Sequence, residues 1–127
     1  MDAAQALSEL TSLSAQITSA IVIDADGSPL ASTLDDAAAA KLAPSVQELL
    51  AAADRIGDGR RLTQLQLSTP EGGVFLVRDG DRAIAATTRP DPAAGLVFYD
   101  LKTCLRNIAD RPKPRPKPGK KAGDAAE

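Results

Sequence analysis

Turn-forming residues cut much of this chain into segments short enough to form hairpins and little else. Residues 24–28 read Asp-Ala-Asp-Gly-Ser, residues 70–72 read Pro-Glu-Gly, and residues 79–80 read Asp-Gly. Each cluster separates two strand-like runs: 20–23 from 29–33, 62–69 from 73–77, and 73–77 from 83–88. Short runs joined by such turns pair antiparallel. Residues 20–23 and 73–77 are apolar on both alternating faces, which suits strands covered on both sides. In the run 62–69, Thr63, Leu65 and Leu67 share one face, and Gln64, Gln66 and Ser68 share the other.

Helical patterns lie before, between and after these hairpins. Ala3, Ala6, Leu7, Leu10, Leu13 and Ile17 recur three or four apart and predict one amphipathic helix. Asp35 and Asp36 mark the start of a second helix over residues 36–56, and residues 57–59, Gly-Asp-Gly, end it. Pro44 cannot donate to Ala40, which predicts a kink or a first turn that begins later than the acids suggest. After the break at 89–92, a final helix from Ala94 carries Val97, Leu101, Cys104, Leu105 and Ile108 on one stripe. The order α-β-β-α-β-β-β-α predicts an α+β fold, a five-stranded antiparallel sheet with helices on its faces.

Charge divides the chain at residue 110. Residues 1–110 hold nine basic and fifteen acidic groups, whereas residues 111–127 hold six basic and two acidic. The second segment opens with alternating prolines, Arg-Pro-Lys-Pro-Arg-Pro-Lys-Pro, which disfavour helix and leave nothing apolar to offset ordering. A folded domain over 1–110 and an extended, disordered basic tail over 111–127 are predicted. Arg111, Lys113, Arg115 and Lys117 are the tail's contact residues for acidic surfaces.

What the composition lacks excludes several chemistries. The chain has no histidine and one cysteine, so no imidazole base, His-ligated metal, disulfide framework or thiolate zinc site can form. Neither GxxxxGK[ST] nor GxGxxG occurs, which argues against nucleotide binding by the chain itself. Asp24, Asp26, Ser28 and Asp35 superficially suggest a calcium loop, but the sixth position is Pro29 and the twelfth is not glutamate, so a hairpin turn is expected. Cys104 on an apolar stripe reads as a small core residue. Phe75, Phe98 and Tyr99 are the only aromatics and are expected in the core, so specific nucleic-acid binding is not expected. No apolar run approaches the roughly 18 residues of a membrane span. A soluble, cytoplasmic protein without catalytic activity, metal or cofactor is the expectation.

The second helix carries more apolar surface than one sheet contact uses. Leu42, Val46, Leu49, Ala53 and Ile56 form one row, and Ala39, Ala43, Leu50 and Ala51 form an adjacent one. The run 62–69 has no Pro or Lys within it to blunt an exposed edge. Together they predict a two-fold homodimer with Leu42, Val46, Leu49, Leu50, Ala53, Ile56, Leu65 and Leu67 at its interface.

Three stretches carry a family resemblance: residues 21–32, Ile-Val-Ile-Asp-Ala-Asp-Gly-Ser-Pro-Leu-Ala-Ser; 73–80, Gly-Val-Phe-Leu-Val-Arg-Asp-Gly; and 95–101, Gly-Leu-Val-Phe-Tyr-Asp-Leu. Over residues 3–110 the chain resembles the Roadblock family, which includes the Roadblock light chain of dynein and the bacterial gliding-motility GTPase activators. The resemblance implies a profilin-like Roadblock fold, in an actinobacterial member, and a homodimer with one continuous sheet and the central helices side by side. In bacterial members that helical face docks a small Ras-like GTPase, often two protomers to one GTPase, and repositions its catalytic residues without an arginine finger. The corresponding surface here is Lys41, Ser45, Glu48, Ala52 and Arg55, with Arg60 and Arg61 just beyond. Actinobacterial relatives accompany a sensor-kinase-like protein as well as a GTPase, so a structural dimer tethering such a partner is the alternative. A small-ligand sensor with a pocket between sheet and helix is a third reading. The basic tail departs from the motility activators.

Overall fold

The structure is a computed structural model that describes residues 2–58 and 60–108. Its elements follow in the predicted order: α1 (Ala3–Leu13), β1 (Ile17–Ile23), β2 (Pro29–Ser32), α2 (Asp36–Ile56), β3 (Gln64–Thr69), β4 (Gly72–Asp79), β5 (Arg82–Thr88) and α3 (Ala94–Asn107). The five strands form one antiparallel sheet in the order β2-β1-β5-β4-β3. Pairing of β1 with β5 joins the two hairpin units, so β2 and β3 are left as the edges.

Local chemistry sets the boundaries. Asp24 Oδ1 accepts from the amides of Asp26 (2.9 Å) and Ser28 (3.0 Å), which commits that carboxylate to the β1–β2 turn. Gly72, at φ +152°, sits so close to β5 that an added Cβ would lie 1.9 Å from the Thr88 carbonyl oxygen. Asp2 and Gln5 cap α1 reciprocally, and Asp35 caps α2 by accepting from the Ala38 amide at 2.8 Å.

One sequence expectation is corrected here, and of the two alternatives at Pro44 the later start is excluded. The first helix stops at Leu13, which is 78% exposed, and Ile17 opens β1 instead of extending the helical stripe. Its spacing matched a helix, but ladder pairing of Ile17 with Thr88 takes the chain into the sheet. Helix α2 starts at Asp36 with no delay and continues through Pro44. Pro44 and Ala40 both lie on the exposed side of the helix, and proline leaves the Ala40 carbonyl without its intrahelical donor.

The sheet separates two apolar layers. On one face α1 and α3 bring Leu7, Leu10, Val97 and Leu101 onto Val22, Phe75, Val77 and Ile84. On the other, α2 brings Ala39, Ala43, Val46 and Leu50 onto Ile21, Ile23, Leu76 and Ala85. Alternating residues of β1 and β4 thus enter different layers, which is why those runs read as apolar on both faces. Phe75 meets Phe98 edge-on, with centroids 5.0 Å apart. Tyr99, expected in the core, is instead 63% exposed on α3.

Candidate interaction surface

The inward row of α2 is Ala39, Ala43, Val46, Leu50 and Ala53. Val46, Leu50 and Ala53, which the sequence assigned to a partner, are therefore buried within this chain, Val46 and Leu50 in the layer between α2 and the sheet. Two apolar rows with the same spacing compete for the sheet. The buried row takes residues from both, and packs Ala39, Ala43, Val46 and Leu50 into one layer with Ile21, Ile23, Leu76, Ala83 and Ala85.

The row left over runs along one flank of α2. Leu42, Leu49 and Ile56 lie roughly 60–100° around the helix from the centre of the inward row. Leu49 is half-buried against the core, Leu42 is exposed, and Ile56 is 86% exposed. Beside this flank runs an open groove of about 180 Å³, walled by Leu42, Leu49, Val74, Leu76 and Ala85. At one end Thr87 Oγ1 lies 2.7 Å from Thr18 Oγ1 and 2.6 Å from Ser19 Oγ. Sequence reasoning missed Val74 and Thr87 here; the signal available was a strand position lying opposite Leu67, which pairs with Val74.

The groove leads onto the β3 edge. Leu65 stands opposite Leu76, and Leu67 opposite Val74, all on the α2 face of the sheet. Leu65 is half-buried and Leu67 is 42% exposed. The uncovered part of this face thus joins the flank of α2 to the outermost strand.

A polar clamp fixes where that strand begins. Arg78 Nη2 donates to Asp54 Oδ1 at 2.5 Å and to the Leu62 carbonyl at 2.6 Å, and its Nε donates to the same carbonyl at 2.9 Å. Asp54 Oδ1 also accepts from the Leu62 amide at 2.9 Å. The Arg78 hydrogen bond, helped by the Leu62 amide, holds the Asp54 carboxyl below the usual carboxylate range. Arg61 Nη2 donates to the Gly80 carbonyl at 2.7 Å, which ties this segment to the β4–β5 turn.

Lys41, Ser45, Glu48 and Arg55 are exposed and Ala52 is half-buried, all on the side of α2 turned away from the sheet. The structure brings these five residues onto one face, while Arg61 is engaged with Gly80. Arg111, Lys113, Arg115 and Lys117 lie outside the described residues. Cys104 is buried, and burial, with the nearby Glu9 charge, pushes its thiol up to about 11. Among the described residues no cluster of His, Cys, Asp or Glu is arranged to hold a metal ion, and no helix is long and apolar enough to cross a membrane.

Residues 3–88 match the Roadblock/LC7 domain. The chain belongs to the Roadblock/LC7 family. A solved Roadblock/LC7 domain from Streptomyces avermitilis superposes with a TM-score of 0.75 at 19% identity, covering 85% of this chain and 95% of that one. MglB of Myxococcus xanthus gives 0.63 at 11% identity, covering 80% and 84%. The gliding protein MglB of Thermus thermophilus gives 0.62 at 18% identity, covering 84% of each chain. At these identities the likeness is one of fold. No curated protein matches the sequence. In this Roadblock domain, then, the uncovered sheet face, the α2 flank and the β3 edge form one contiguous surface, with the polar side of α2 beside it.

Proposed function

We propose that this Roadblock domain is a non-catalytic homodimer that regulates or recruits a bacterial Ras-like small GTPase in the cytoplasm. One observation carries the reading: the apolar groove beside α2, walled by Leu42, Leu49 and Val74, leads to an unpaired edge strand that carries the exposed Leu67. A second copy of the chain covers that surface with Leu42, Leu49, Ile56, Leu65 and Leu67. The polar side of α2 then faces outward from both protomers and offers Lys41, Ser45, Glu48, Ala52 and Arg55 to the GTPase. The family resemblance supports this division between a dimer face and a docking face. The tail, 111–127, adds a basic segment outside the domain through Arg111, Lys113, Arg115 and Lys117.

Single-turnover GTP hydrolysis by the GTPase encoded nearest this gene, with this protein in excess and binding followed in parallel, tests the proposal. Acceleration that disappears on Leu67→Asp supports a dimer-dependent activator. Binding without acceleration supports the recruiting form, a dimer that tethers a sensor-kinase-like partner to the GTPase. Absence of binding refutes the GTPase reading. Normal binding by a Lys41→Glu, Arg55→Glu double variant moves the contact off α2.

A further inference from the structure

The dimer and docking faces proposed above lie on the α2 side of the sheet, and the opposite side carries exposed side chains that neither uses. Leu13 at the end of α1, and Leu96 and Tyr99 on α3, are each more than half exposed. At 100° per residue, Leu96, Tyr99, Lys102 and Arg106 fall within an arc of about 120°, opposite the buried stripe of α3. All four are exposed, and among the described residues neither Lys102 nor Arg106 is held in an ion pair. This outward stripe is about 15 Å long, apolar towards the start of α3 and cationic towards its end.

Two further features extend the same surface. Leu13 borders the shallow groove between α1 and α3, whose α3 wall includes Thr103 and Asn107, and so adds a third apolar side chain beside the stripe. At the cationic end, the buried Ile108 follows α3, and Arg111 comes three residues after it. Residues 111–127 hold six basic and two acidic groups, so the chain continues the positive charge of Lys102 and Arg106. Glu9 and Asp100 in the groove wall, with Asp110 before the tail, oppose these charges without cancelling them.

We propose that α3 and the basic tail dock this domain on an anionic lipid bilayer, with Leu96 and Tyr99 in the headgroup boundary and the cations on lipid phosphates. Apolar side chains level with cations on one helix face suit that boundary, where the apolar groups leave water and the charges stay wet. A tyrosine fits there because its ring is buried while its hydroxyl keeps water. Polynucleotide phosphates would use the same cations, but they offer nothing to cover Leu13 and Leu96, and one exposed aromatic makes no stacking platform. The surface lies across the sheet from α2, so it depends on neither the dimer nor the GTPase. A domain docked this way keeps α2 turned away from the membrane.

Co-sedimentation of the full chain with phosphatidylcholine vesicles, with and without phosphatidylglycerol, tests the proposal. Binding is expected to the anionic vesicles only, and it should weaken as salt is added. Each cation at such a surface strengthens binding roughly fivefold, so Lys102→Gln with Arg106→Gln should weaken it about twenty-fivefold. Leu96→Ser with Tyr99→Ser should weaken it roughly tenfold or more, and unchanged melting will show that these surface changes leave the fold intact. The parent carries its own reporter, because Tyr99 is the only tyrosine and there is no tryptophan. Saturating anionic vesicles should shield its emission from acrylamide. Vesicle binding with Tyr99 still fully quenched overturns the apolar contact. Binding that both α3 variants retain, and that is lost only on changing Arg111, Lys113, Arg115 and Lys117 to Gln, overturns the α3 surface. Absence of vesicle binding overturns the proposal, and capture of duplex DNA in its place assigns the basic surface to nucleic acid.

Discussion

Leu67 and Leu30 offer a matched experiment on which edge of the sheet associates. Each leaves 42% of its surface exposed, Leu67 on edge strand β3 and Leu30 on edge strand β2. Burying a whole leucine side chain contributes about 1.5–3 kcal/mol, so covering the exposed share of Leu67 contributes about 0.6–1.3 kcal/mol. A two-fold dimer covers it twice, which gives about 1.3–2.5 kcal/mol per dimer and a roughly ten- to sixtyfold change in dissociation constant. Leu67→Ala is therefore expected to weaken the dimer by that factor. Its effect on the fold of the protomer should stay small, because the side chain is at the surface. Leu30→Ala removes the same atoms from an equally exposed position and is expected to leave the dissociation constant unchanged. Sedimentation velocity over a dilution series reads both variants against the parent. Equal weakening by the two, or none by Leu67→Ala, would refute the assignment of β3 as the associating edge.

Three further outcomes follow from the geometry. Gly72→Ala drives a Cβ to within 1.9 Å of the Thr88 carbonyl at a backbone angle that side chains rarely adopt, and should lower stability by about 2–4 kcal/mol in urea denaturation. Because the folded state lowers the Asp54 pKa, its contribution is fully present above the ordinary carboxylate value of about 4 and is lost as pH falls through the lower folded value. Melting temperatures below pH 4 should accordingly fall less steeply for Asp54→Asn than for the parent, and identical slopes would discard the clamp as a pH-dependent element. Cys104, with its thiol pushed up to about 11, should resist thiol reagents at neutral pH and react only as the chain unfolds, which a time course in increasing urea would show.

The order of the elements and the hairpin pairings were legible because turns and periodicity are local signals, whereas the pairing of β1 with β5 is nonlocal. The Asp-Gly and Pro-Glu-Gly clusters end strands through hydrogen bonds made within a few residues, as the Asp24 carboxylate illustrates. The orientation of α2 was not legible, because Ala39, Ala43 and Leu50 compete with Leu42, Leu49 and Ile56 at the same spacing. Hydrophobicity favours the leucine row. Burial in one layer with Ile21, Ile23, Leu76, Ala83 and Ala85 instead selects the side with Ala39, Ala43 and Leu50, and that selection depends on strands that sequence periodicity does not place. The Arg78–Asp54 clamp is nonlocal for the same reason, since its two side chains are 24 residues apart. Tyr99 had a helical position one residue away from Phe98 and Asp100, where a 100° step separates the core from the surface.

Helix number explains why one face of this sheet stays open. Five strands spaced about 4.8 Å apart make a layer roughly 20–25 Å wide, and one packed helix covers about 10 Å of it. Two helices, α1 and α3, therefore suffice for one face, whereas α2 alone leaves about half of the other bare. Val74 and Leu65 accordingly stay only half-buried and Leu67 exposed. Filling that space from within the protomer would need a fourth helix, and none is present among the described residues. In the proposed dimer, two-fold pairing through β3 would bring the two bare strips together on the same side of one sheet. Leu49 on the flank of α2 and Leu67 on the edge would then border a single apolar surface, shared by both protomers and closed at either margin by an α2 helix.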